Sequence, residues 1–465
     1  MGETTAGLLH NATRDLARFA AALRFEDLPR TVIEKLKLLA LDGIGCCVYG
    51  ATLPWTRKVA EFIEHEGGRP IASVFGAGYK TSVSQAVLVN STAGHAFELD
   101  DIHKESILHC NSLALPVAIA FAENDNRLTG RDMVTAMVAG YEVGTRIGNA
   151  ATMSLFMRGF HPQGTSGVFV AAATAAHMLR LGAEQTQQAL GIAGSQAAGL
   201  MAAQEGAMVK RFHSGRAAQS GVYAAFLAQR GFTGIPDVLE AVYGGFLSAY
   251  SDKPNASRLV AGLGSVWETE NVGYKPHASV TSIHAALDAL ASIMRQHKLA
   301  ADDIASVKVG VSTMTHAHCV WPYRAQGTTA AQMNLYYGLA VMALDGEAFV
   351  RQYAEDRLND PRVVDFIARI EAYVDADIDA MGPNARHAAR LIVVTRDGRD
   401  LRQEVLQRRG SPENPLTPEE VAHKFRSIAG ARLARDRVER IAELTARLEQ
   451  LETVRDLAVI LGARF

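Results

Sequence analysis

Residues 31–48, TVIEKLKLLALDGIGCCV, decide the fold class of this chain. Apolar side chains recur in this stretch every three or four residues, which is the spacing of one face of an α-helix. The stripe consists of Val32, Ile33, Leu36, Leu39, Leu41 and Ile44. Farther along, residues 167–183, 187–203 and 215–231 carry Ala and Gly on many faces, as expected of helices that other helices surround. Residues 1–267 therefore predict a large, tightly packed all-helical domain.

Charged residues interrupt the longest apolar runs of this helical region. Arg180, Glu184, Glu205 and Lys210 lie within or beside these runs, and no run is long enough to span a bilayer. The N-terminal stretch MGETTAGLLHNATRDLARF lacks the apolar core that a signal peptide carries. We therefore expect a cytoplasmic protein that does not associate with membranes.

The sequence pattern changes near Trp267. The segment WETENVGYKP looks extended, and Ile304–Ser312 alternates apolar and polar residues as a half-buried strand does. The stretch ARLIVVTRDGRDLRQEV predicts a hairpin that turns at Asp397-Gly398. Helical patterns lie between these segments, so residues 268–405 predict a smaller α+β domain.

The C-terminal residues 406–465 predict amphipathic helices. After the turn-rich GSPENPLT, Thr417 can cap a helix whose first position is Pro418, and two acidic residues follow. Periodicity does not tell whether this tail packs on the small domain or returns to the large one.

The composition is that of an ordinary globular protein. Of 465 residues, 48% are hydrophobic and 21% charged, close to averages of about 45–50% and about 25%. The 47 Lys and Arg nearly balance the 49 Asp and Glu, so nothing favours a polyanionic partner such as nucleic acid. The four cysteines form no C-x-x-C pair, which disfavours a thiolate metal site or a disulfide scaffold.

The densest cluster of acid–base residues is HAFELDDIHKESILHCNSLALP, residues 95–116. Its ionisable members are His95, Glu98, Asp100, Asp101, His103, Glu105 and His109. A helix here would place His95, Glu98 and Asp101 on one face. Such a set can hold carboxylates and imidazoles in pairs with different pKa values. The alternatives are a solvated acidic helix end with structural histidines, and a metal site that uses Asp100, Asp101, His103 and His109.

Two further clusters could bind an anion. In GFHPQGTSG, His161 precedes a predicted helix that Thr165 or Ser166 could cap. In QEGAMVKRFHSGRAAQSG, a basic patch lies beside an apolar helix, and its alternative is a solvated charged face. The patch consists of Lys210, Arg211, His213 and Arg216.

A fourth cluster lies where the two predicted domains meet. GYKPHASVTSIHAALDAL contains Lys275, His277 and His284, and clefts between domains are favoured places for ligands. The alternative is histidines that only pack at the junction. The motif THAHC (315–319) would need an unidentified third partner to hold a metal, so we assign it no metal site.

Taken together and in this order, the clusters resemble the MmgE/PrpD family, which includes 2-methylcitrate dehydratase, cis-aconitate decarboxylase and iminodisuccinate epimerase. The segments MNLYYGLAVMALDG and GSPENP complete the resemblance, which covers nearly the whole chain. It implies a mainly α fold with a large all-helical domain (1–267 and 406–465) and a smaller α+β domain (268–405). In this fold the C-terminal segment returns to the helical domain. It also implies a homodimer and no metal or organic cofactor.

The resemblance also implies roles for individual residues. The matching catalytic positions are Glu98, Asp100, Asp101, His109, His161 and Lys210. Tyr337 matches a substrate-contacting tyrosine, and we add Arg211, His213 and His277 to the substrate-binding set. Ile102 stands where decarboxylases of the family often have Thr, and Val280 where they carry a histidine, for which His277 would substitute.

These features predict a cofactor-independent lyase that acts on a small di- or tricarboxylate. Because of Ile102 and Val280, dehydration of a 2-methylcitrate-like hydroxy acid is the first expectation. Decarboxylation of cis-aconitate and epimerisation of an amino or imino diacid are the alternatives. A catalytically silent, dimeric relative that only binds a carboxylate ligand is an alternative of another class.

Overall fold

The computed structural model describes residues 11–465 and is mainly α-helical over that range. The first ten residues, and with them the start of the segment predicted not to be a signal peptide, lie outside the described residues. The α-helices are α1 (Ala12–Ala22), α2 (Arg30–Ala51), α3 (Pro54–Glu66), α4 (Val83–Gly94), α5 (Asn111–Asn124), α6 (Gly130–Met157), α7 (Gly167–Met178), α8 (Ala183–Gly194), α9 (Val209–Gln229), α10 (Phe246–Tyr250), α11 (His284–His297), α12 (Thr313–Cys319), α13 (Thr328–Gln332), α14 (Leu335–Asp345), α15 (Pro361–Ile367), α16 (Ala376–Ala380), α17 (Pro418–Ala429), α18 (Arg435–Ala446) and α19 (Arg455–Gly462). The strands are β1 (Ala72–Ser73), β2 (Lys80–Thr81), β3 (Ile102–His103), β4 (Val272–Gly273), β5 (Ile304–Val311), β6 (Ile370–Val374), β7 (Ala389–Thr395) and β8 (Asp400–Val405).

The helices of the N-terminal half surround one another, as the Ala- and Gly-rich segments predict. Nearly every residue of α7 is buried, and α7 packs between α6 and α9. In α2 the predicted stripe is buried except for half-buried Ile33. Over residues 11–465 no single helix is both long and apolar enough to cross a membrane. Among these residues, only the pair α2 and α3, which meet at 78°, is long and apolar enough when counted together to resemble a bent membrane-spanning segment.

The predicted strands β5, β7 and β8 form a four-stranded sheet with β6, which the sequence analysis did not predict, in the order β6-β5-β7-β8. β5 is parallel to β6 and antiparallel to β7, and β7 and β8 form the predicted hairpin. Gly398 in its turn has φ 84°, a conformation that glycine adopts without strain. The expectation of an extended segment after Trp267 is partly wrong, because residues 268–271 form a 3₁₀ helix before β4.

The C-terminal helices return to α2. Thr417 caps α17 as predicted: its Oγ1 accepts from the Glu420 N–H, and the Glu420 carboxylate accepts from the Thr417 N–H. α17 packs on α2, and Lys424 Nζ lies 2.7 Å from Asp42 Oδ1 in a buried ion pair.

Buried apolar side chains form two main clusters. One draws on residues 12–274 and 416–461, and the other mainly on residues 278–393. This distribution supports the division into domains at 1–267 with 406–465 and at 268–405, which we keep as a proposal.

The helix predicted across His95, Glu98 and Asp101 is wrong. α4 ends at Gly94, and the chain then turns, with Glu98 at φ 52°. The turn runs into β3, which pairs antiparallel with β4 through Ile102 and Gly273. This two-residue ladder joins the acidic segment to the start of the GYKP segment.

Candidate active site

Glu98 lies at the centre of a buried cluster of three cations. Its carboxylate accepts hydrogen bonds from Lys210 Nζ, from Arg211 Nη1 at 2.6 Å and from Lys275 Nζ at 2.9 Å. Burial alone raises the pKa of Glu98, but the three cations outweigh it and hold the pKa well below its usual range. Glu98 is therefore ionised, and one negative charge faces three positive ones.

Three stretches of backbone bring this cluster together. The turn after α4 presents Glu98, the first turn of α9 supplies Lys210 and Arg211, and the chain after β4 supplies Lys275. α9 approaches α4 closely because residue 215 is glycine: a Cβ there would collide with the carbonyl oxygen of Leu88.

Asp100 holds two histidines and shares a cation with Glu98. Its Oδ2 lies 2.7 Å from His95 Nδ1, and its Oδ1 lies 3.3 Å from His109 Nδ1 and 3.6 Å from Lys275 Nζ. Burial raises the pKa of Asp100, but the two rings and the Lys275 charge outweigh burial and lower it well below the usual range. Burial lowers the pKa of His95 to about 3, so that ring is neutral and donates to Asp100. Asp100 is thus an ionised partner that orients His109.

The backbone of His109 is fixed from behind. The Gln163 side chain accepts from the His109 N–H at 2.9 Å and donates to its carbonyl oxygen at 3.1 Å. Gln163 belongs to the GFHPQGTSG motif, so one side chain of the second cluster positions the histidine of the first. With Nδ1 towards Asp100, the Nε2 edge of His109 is left for the cavity that the ring lines.

His161 reaches the same cavity with a different partner. Its Nδ1 lies 2.9 Å from Nδ1 of His213, so one of the two rings donates to the other. Burial and the charge of Lys210 hold the pKa of His161 well below its usual value, so the ring is neutral at pH 7. His213 does not line the cavity and contacts His161, which does. The predicted side-chain cap by Ser166 is absent, and Thr165 Oγ1 donates to the carbonyl oxygen of His161.

The cavity is small and has two kinds of lining. Its volume is about 60 Å³, and its polar lining includes Glu98, His109, His161, Lys210 and Lys275. Eight other lining side chains are apolar, and we call these eight the apolar wall. Its inner members, which are buried, are Ile102, Val280 and Met333. Its outer members, which are half-buried, are Ile107, Met153, Phe156, Met201 and Met314.

Two of the predicted site residues have structural partners away from the cavity. Asp101 accepts hydrogen bonds from the Asn111 N–H at the start of α5 and from the Tyr141 hydroxyl. Burial and the neighbouring Asp100 charge raise its pKa well above the usual range. Tyr337 is fully buried and donates to the carbonyl oxygen of Gln352 at 2.6 Å. Neither side chain lines the cavity, so the structure does not bring Asp101 or Tyr337 together there with the other predicted site residues.

Two further residues of the predicted substrate-binding set, His277 and Arg211, also do not line this cavity. His277 does not take the place of Val280: its Nε2 lies 3.0 Å from Asp288 Oδ1, and it faces a different cavity, beside α17. Val280 itself is part of the apolar wall. Arg211 contacts Glu98 and Gln332 behind the cavity rather than lining it.

The sequence analysis missed several polar side chains that line the cavity: Lys104, His318, Arg386 and His387. His318, from the discounted THAHC motif, lies with Nε2 2.9 Å from Gln204 Oε1. Its only signal in the sequence was the density of histidines in that motif. Lys104 lies inside the acid–base cluster at residues 95–116, although the sequence analysis did not assign it to the site, and Arg386 carried no signal because it lies in an ordinary polar loop.

Three of the six non-glycine residues with positive φ among the described residues lie in or beside this site. Glu98, Ile107 and Thr152 have φ values of 52°, 55° and 60°, a region that non-glycine residues seldom adopt. Glu98 and Ile107 line the cavity, and Thr152 breaks α6 just before Met153 of the apolar wall. Strain of this kind persists where surrounding contacts fix the backbone, as the three cations do at Glu98.

The set His95, Asp100 and His109 is close enough to hold a metal ion, with ligand atoms within 4.8 Å of one another. The metal site predicted as an alternative used Asp101 and His103, which face other partners. Asp100 is hydrogen-bonded to His95 and lies within ion-pair distance of His109 and Lys275, and the Lys275 charge would repel a cation there. These residues fit an anion-binding, proton-transferring site better than a metal site.

The sequence matches two consecutive domains of one known protein family. Residues 14–259 match the MmgE/PrpD N-terminal domain, and residues 277–450 match the MmgE/PrpD C-terminal domain. The chain belongs to the MmgE/PrpD family. The predicted resemblance is therefore confirmed.

Relatives within this family match over almost the whole length. A cis-aconitate decarboxylase of Aspergillus terreus is 33% identical over 97% of this chain and 96% of its own. A cis-aconitate decarboxylase-like protein of Aspergillus oryzae is 31% identical over 97% of each chain. Human cis-aconitate decarboxylase is 27% identical over 98% of this chain and 95% of its own. This MmgE/PrpD protein is a lyase, as the sequence predicts.

Proposed function

We propose that this lyase removes CO₂ from cis-aconitate or a closely related unsaturated polycarboxylate. The observation that carries the proposal is the convergence of Lys210 and Lys275 with His109 and His161 on one cavity. The relatives named above support decarboxylation over the dehydration that we expected first. Dehydration and epimerisation need the same kinds of groups, so the geometry alone does not separate them.

This cavity offers cations that bind the carboxylates, positive charge that stabilises the developing anion, and a proton donor, all of which decarboxylation needs. The bond between a carbon and its carboxylate breaks, CO₂ leaves, and the electron pair passes into the unsaturated system of the product. Lys210 and Lys275 bind the carboxylates that remain and stabilise the developing negative charge. A proton must then be added to carbon, and His109, which Asp100 orients through Nδ1, is the donor we propose. Neutral His161 offers Nε2 for a hydrogen bond to substrate, as a donor when His213 donates to its Nδ1 and as an acceptor when His161 donates to His213.

The positions of Ile102 and Val280 in the structure are compatible with decarboxylation. Both belong to the apolar wall, where they exclude water from the cavity and so strengthen the charge interactions within it. His318 and His387 bring the number of histidines that line the cavity to four, although His277 does not line it.

Incubation with cis-aconitate in D₂O, followed by NMR, tests the proposal. We expect loss of cis-aconitate, release of CO₂ and one deuterium on carbon in the product. Conversion of 2-methylcitrate without CO₂ release would instead establish dehydration, and deuterium uptake into an amino diacid without net conversion would establish epimerisation. Binding without turnover of any of these compounds would establish the silent, ligand-binding alternative.

We expect deprotonation of Lys210 to produce the fall of kcat/KM at alkaline pH. Burial, with the charges of Arg211 and Lys275, lowers the pKa of Lys210 to about 8 although Glu98 opposes the shift. Its positive charge is present below that pH and is lost above it, so kcat/KM should fall as pH rises through about 8. Lys210→Arg keeps its charge at higher pH, so the fall should disappear at the cost of a lower kcat/KM from altered geometry.

Lys35 provides the matched control for this experiment. Burial also lowers its pKa to about 8, but it lies over the Tyr274 ring and does not line the cavity. Lys35→Arg should therefore leave the alkaline limb in place. A limb at about pH 8 that survives Lys210→Arg would show that another group controls it.

We further propose that catalysis needs no metal. Asp100 is already shared among two rings and Lys275. We expect CO₂ release to be unchanged after dialysis against EDTA. Loss of activity that a single divalent ion restores would contradict this and would assign the ion to His95, Asp100 and His109.

The homodimer and the cytoplasmic location remain proposals. The homodimer is supported by exposed apolar side chains on α9 and in the loop after it, where Tyr223 and Leu227 share a helix face and Tyr243 is 99% exposed. Sedimentation of the purified chain would measure its oligomeric state.

A further inference from the structure

The cavity contains more apolar surface than the proposed reaction needs. Eight side chains form the apolar wall, beside the cations and histidines that suit carboxylates. cis-Aconitate carries three carboxylates on a short carbon skeleton and has almost no apolar surface to place against such a wall. Placing a carboxylate there would be costly, because a charge loses its hydration without gaining a partner.

The extent of the wall also exceeds what departing CO₂ would occupy. The inner residues Val280 and Met333 are 9% and 2% exposed, whereas the outer residues Met153, Phe156 and Met201 are half-buried. The wall therefore combines buried and half-buried side chains. CO₂ has three atoms and would contact only a few of the eight, whereas a chain of several carbons would contact more of them.

The residue types of the apolar wall allow it to rearrange around a bulky ligand. Four of its eight members are methionines: Met153, Met201, Met314 and Met333. Methionine side chains are unbranched and rearrange at little cost. The cavity, at about 60 Å³, is too small to hold a tricarboxylate without rearrangement. Side chains must therefore move when substrate binds, and the four methionines can move most easily.

We propose that the substrate of this lyase carries an alkyl chain next to its carboxylates, and that the apolar wall binds this chain. The inference rests on the proposed decarboxylation and names the substrate class of the same site. Lys210 and Lys275 bind the carboxylate end, as for cis-aconitate. The chain is a spectator: the same carbon–carbon bond breaks, CO₂ leaves, and the proton is added to the same carbon.

A chain-length series tests this proposal. The substrates are cis-aconitate and its derivatives with a methyl, propyl or pentyl group on the saturated carbon, and the readout is kcat/KM for CO₂ release. Each buried methylene should raise kcat/KM about fourfold until the chain has no more of the wall to contact. A kcat/KM that stays constant or falls with chain length would overturn the proposal.

Substitution of Phe156 tests whether the apolar wall binds the alkyl chain. Its ring lies against His318, with ring centroids 5.3 Å apart, and it is one of the outer residues of the wall. Phe156→Ser should lower the ratio of kcat/KM for the pentyl and methyl substrates at least tenfold. Phe62→Ser, at a 58% exposed position on α3, should leave the ratio unchanged. Each ratio compares two substrates on one preparation, so partial unfolding does not affect it. An equal loss on both substrates would assign the wall to departing CO₂ and overturn the proposal.

Failure of the proposed decarboxylation is distinguishable from failure of this inference. CO₂ release from cis-aconitate with no gain from the alkyl group overturns only the inference. If no substrate releases CO₂, titration calorimetry with propane-1,2,3-tricarboxylate and its pentyl derivative still tests the wall. Tighter binding of the pentyl compound, reduced by Phe156→Ser, supports the inference, and equal affinities overturn it.

Discussion

Glu98→Gln should lower the free energy of unfolding by about 3–5 kcal/mol, the usual loss when one partner of a buried ion cluster is removed. The amide keeps the shape of the side chain but leaves Lys210, Arg211 and Lys275 buried without their shared carboxylate. Thermal and urea unfolding would measure the change. The resemblance implies a catalytic role for Glu98, for which the variant would affect rate more than stability, whereas these contacts favour the opposite order.

Glu105→Gln is the matched control. Glu105 pairs with Arg386 and Arg258, but about a third of its side chain is exposed, so we expect a loss of only about 0–1 kcal/mol. A polycarboxylate such as citrate should stabilise Glu98→Gln more than the unaltered protein, because its carboxylates can replace the missing one. An unchanged melting temperature in Glu98→Gln would mean that the three cations do not depend on Glu98.

Local patterns predicted the elements that local physics controls. The stripe of α2, the alternation of β5 and the capping residues of α17 all depend on neighbours within a few positions. Each of these elements lies where the sequence predicts it, within a few residues at the ends.

The acidic segment was predicted wrongly because distant residues decide its shape. The spacing of His95, Glu98 and Asp101 suits a helix, but Glu98 takes a left-handed backbone and contacts cations more than a hundred positions away. The two-residue ladder between β3 and β4, which aligns Lys275 with this turn, is too short to leave a periodic pattern. The contacts therefore override the local preference.

The same reason explains which candidate site residues were identified. His109, His161 and Lys210 come from three separate segments that the family resemblance had already joined, and all three line the cavity. His277 was assigned from its closeness in sequence to Val280. Three positions along an irregular loop, however, are enough to turn a side chain into another cavity.

His109→Asn should lower kcat by a factor on the order of 10²–10⁴, the contribution of a positioned proton donor. Its ring lines the cavity and has the Asp100 carboxylate at Nδ1, whereas His161 is neutral and has only another imidazole as its partner. The effect should fall on kcat with little change in KM, because binding depends on the lysines. Single-turnover measurement of CO₂ release, together with deuterium content of the product, would measure it.

The fold should tolerate this change, in contrast to Glu98→Gln. Without the His109 ring, Asp100 keeps His95 at 2.7 Å and Lys275 at 3.6 Å, so no buried charge loses all its partners. Asp100→Asn should also lower kcat, since an amide can no longer hold the His109 ring in one tautomer. His297→Asn, at the exposed end of α11, serves as the control with no expected effect. If His109→Asn retained more than a tenth of kcat, the proton would have to come from another group, and His318 would be the next histidine to substitute.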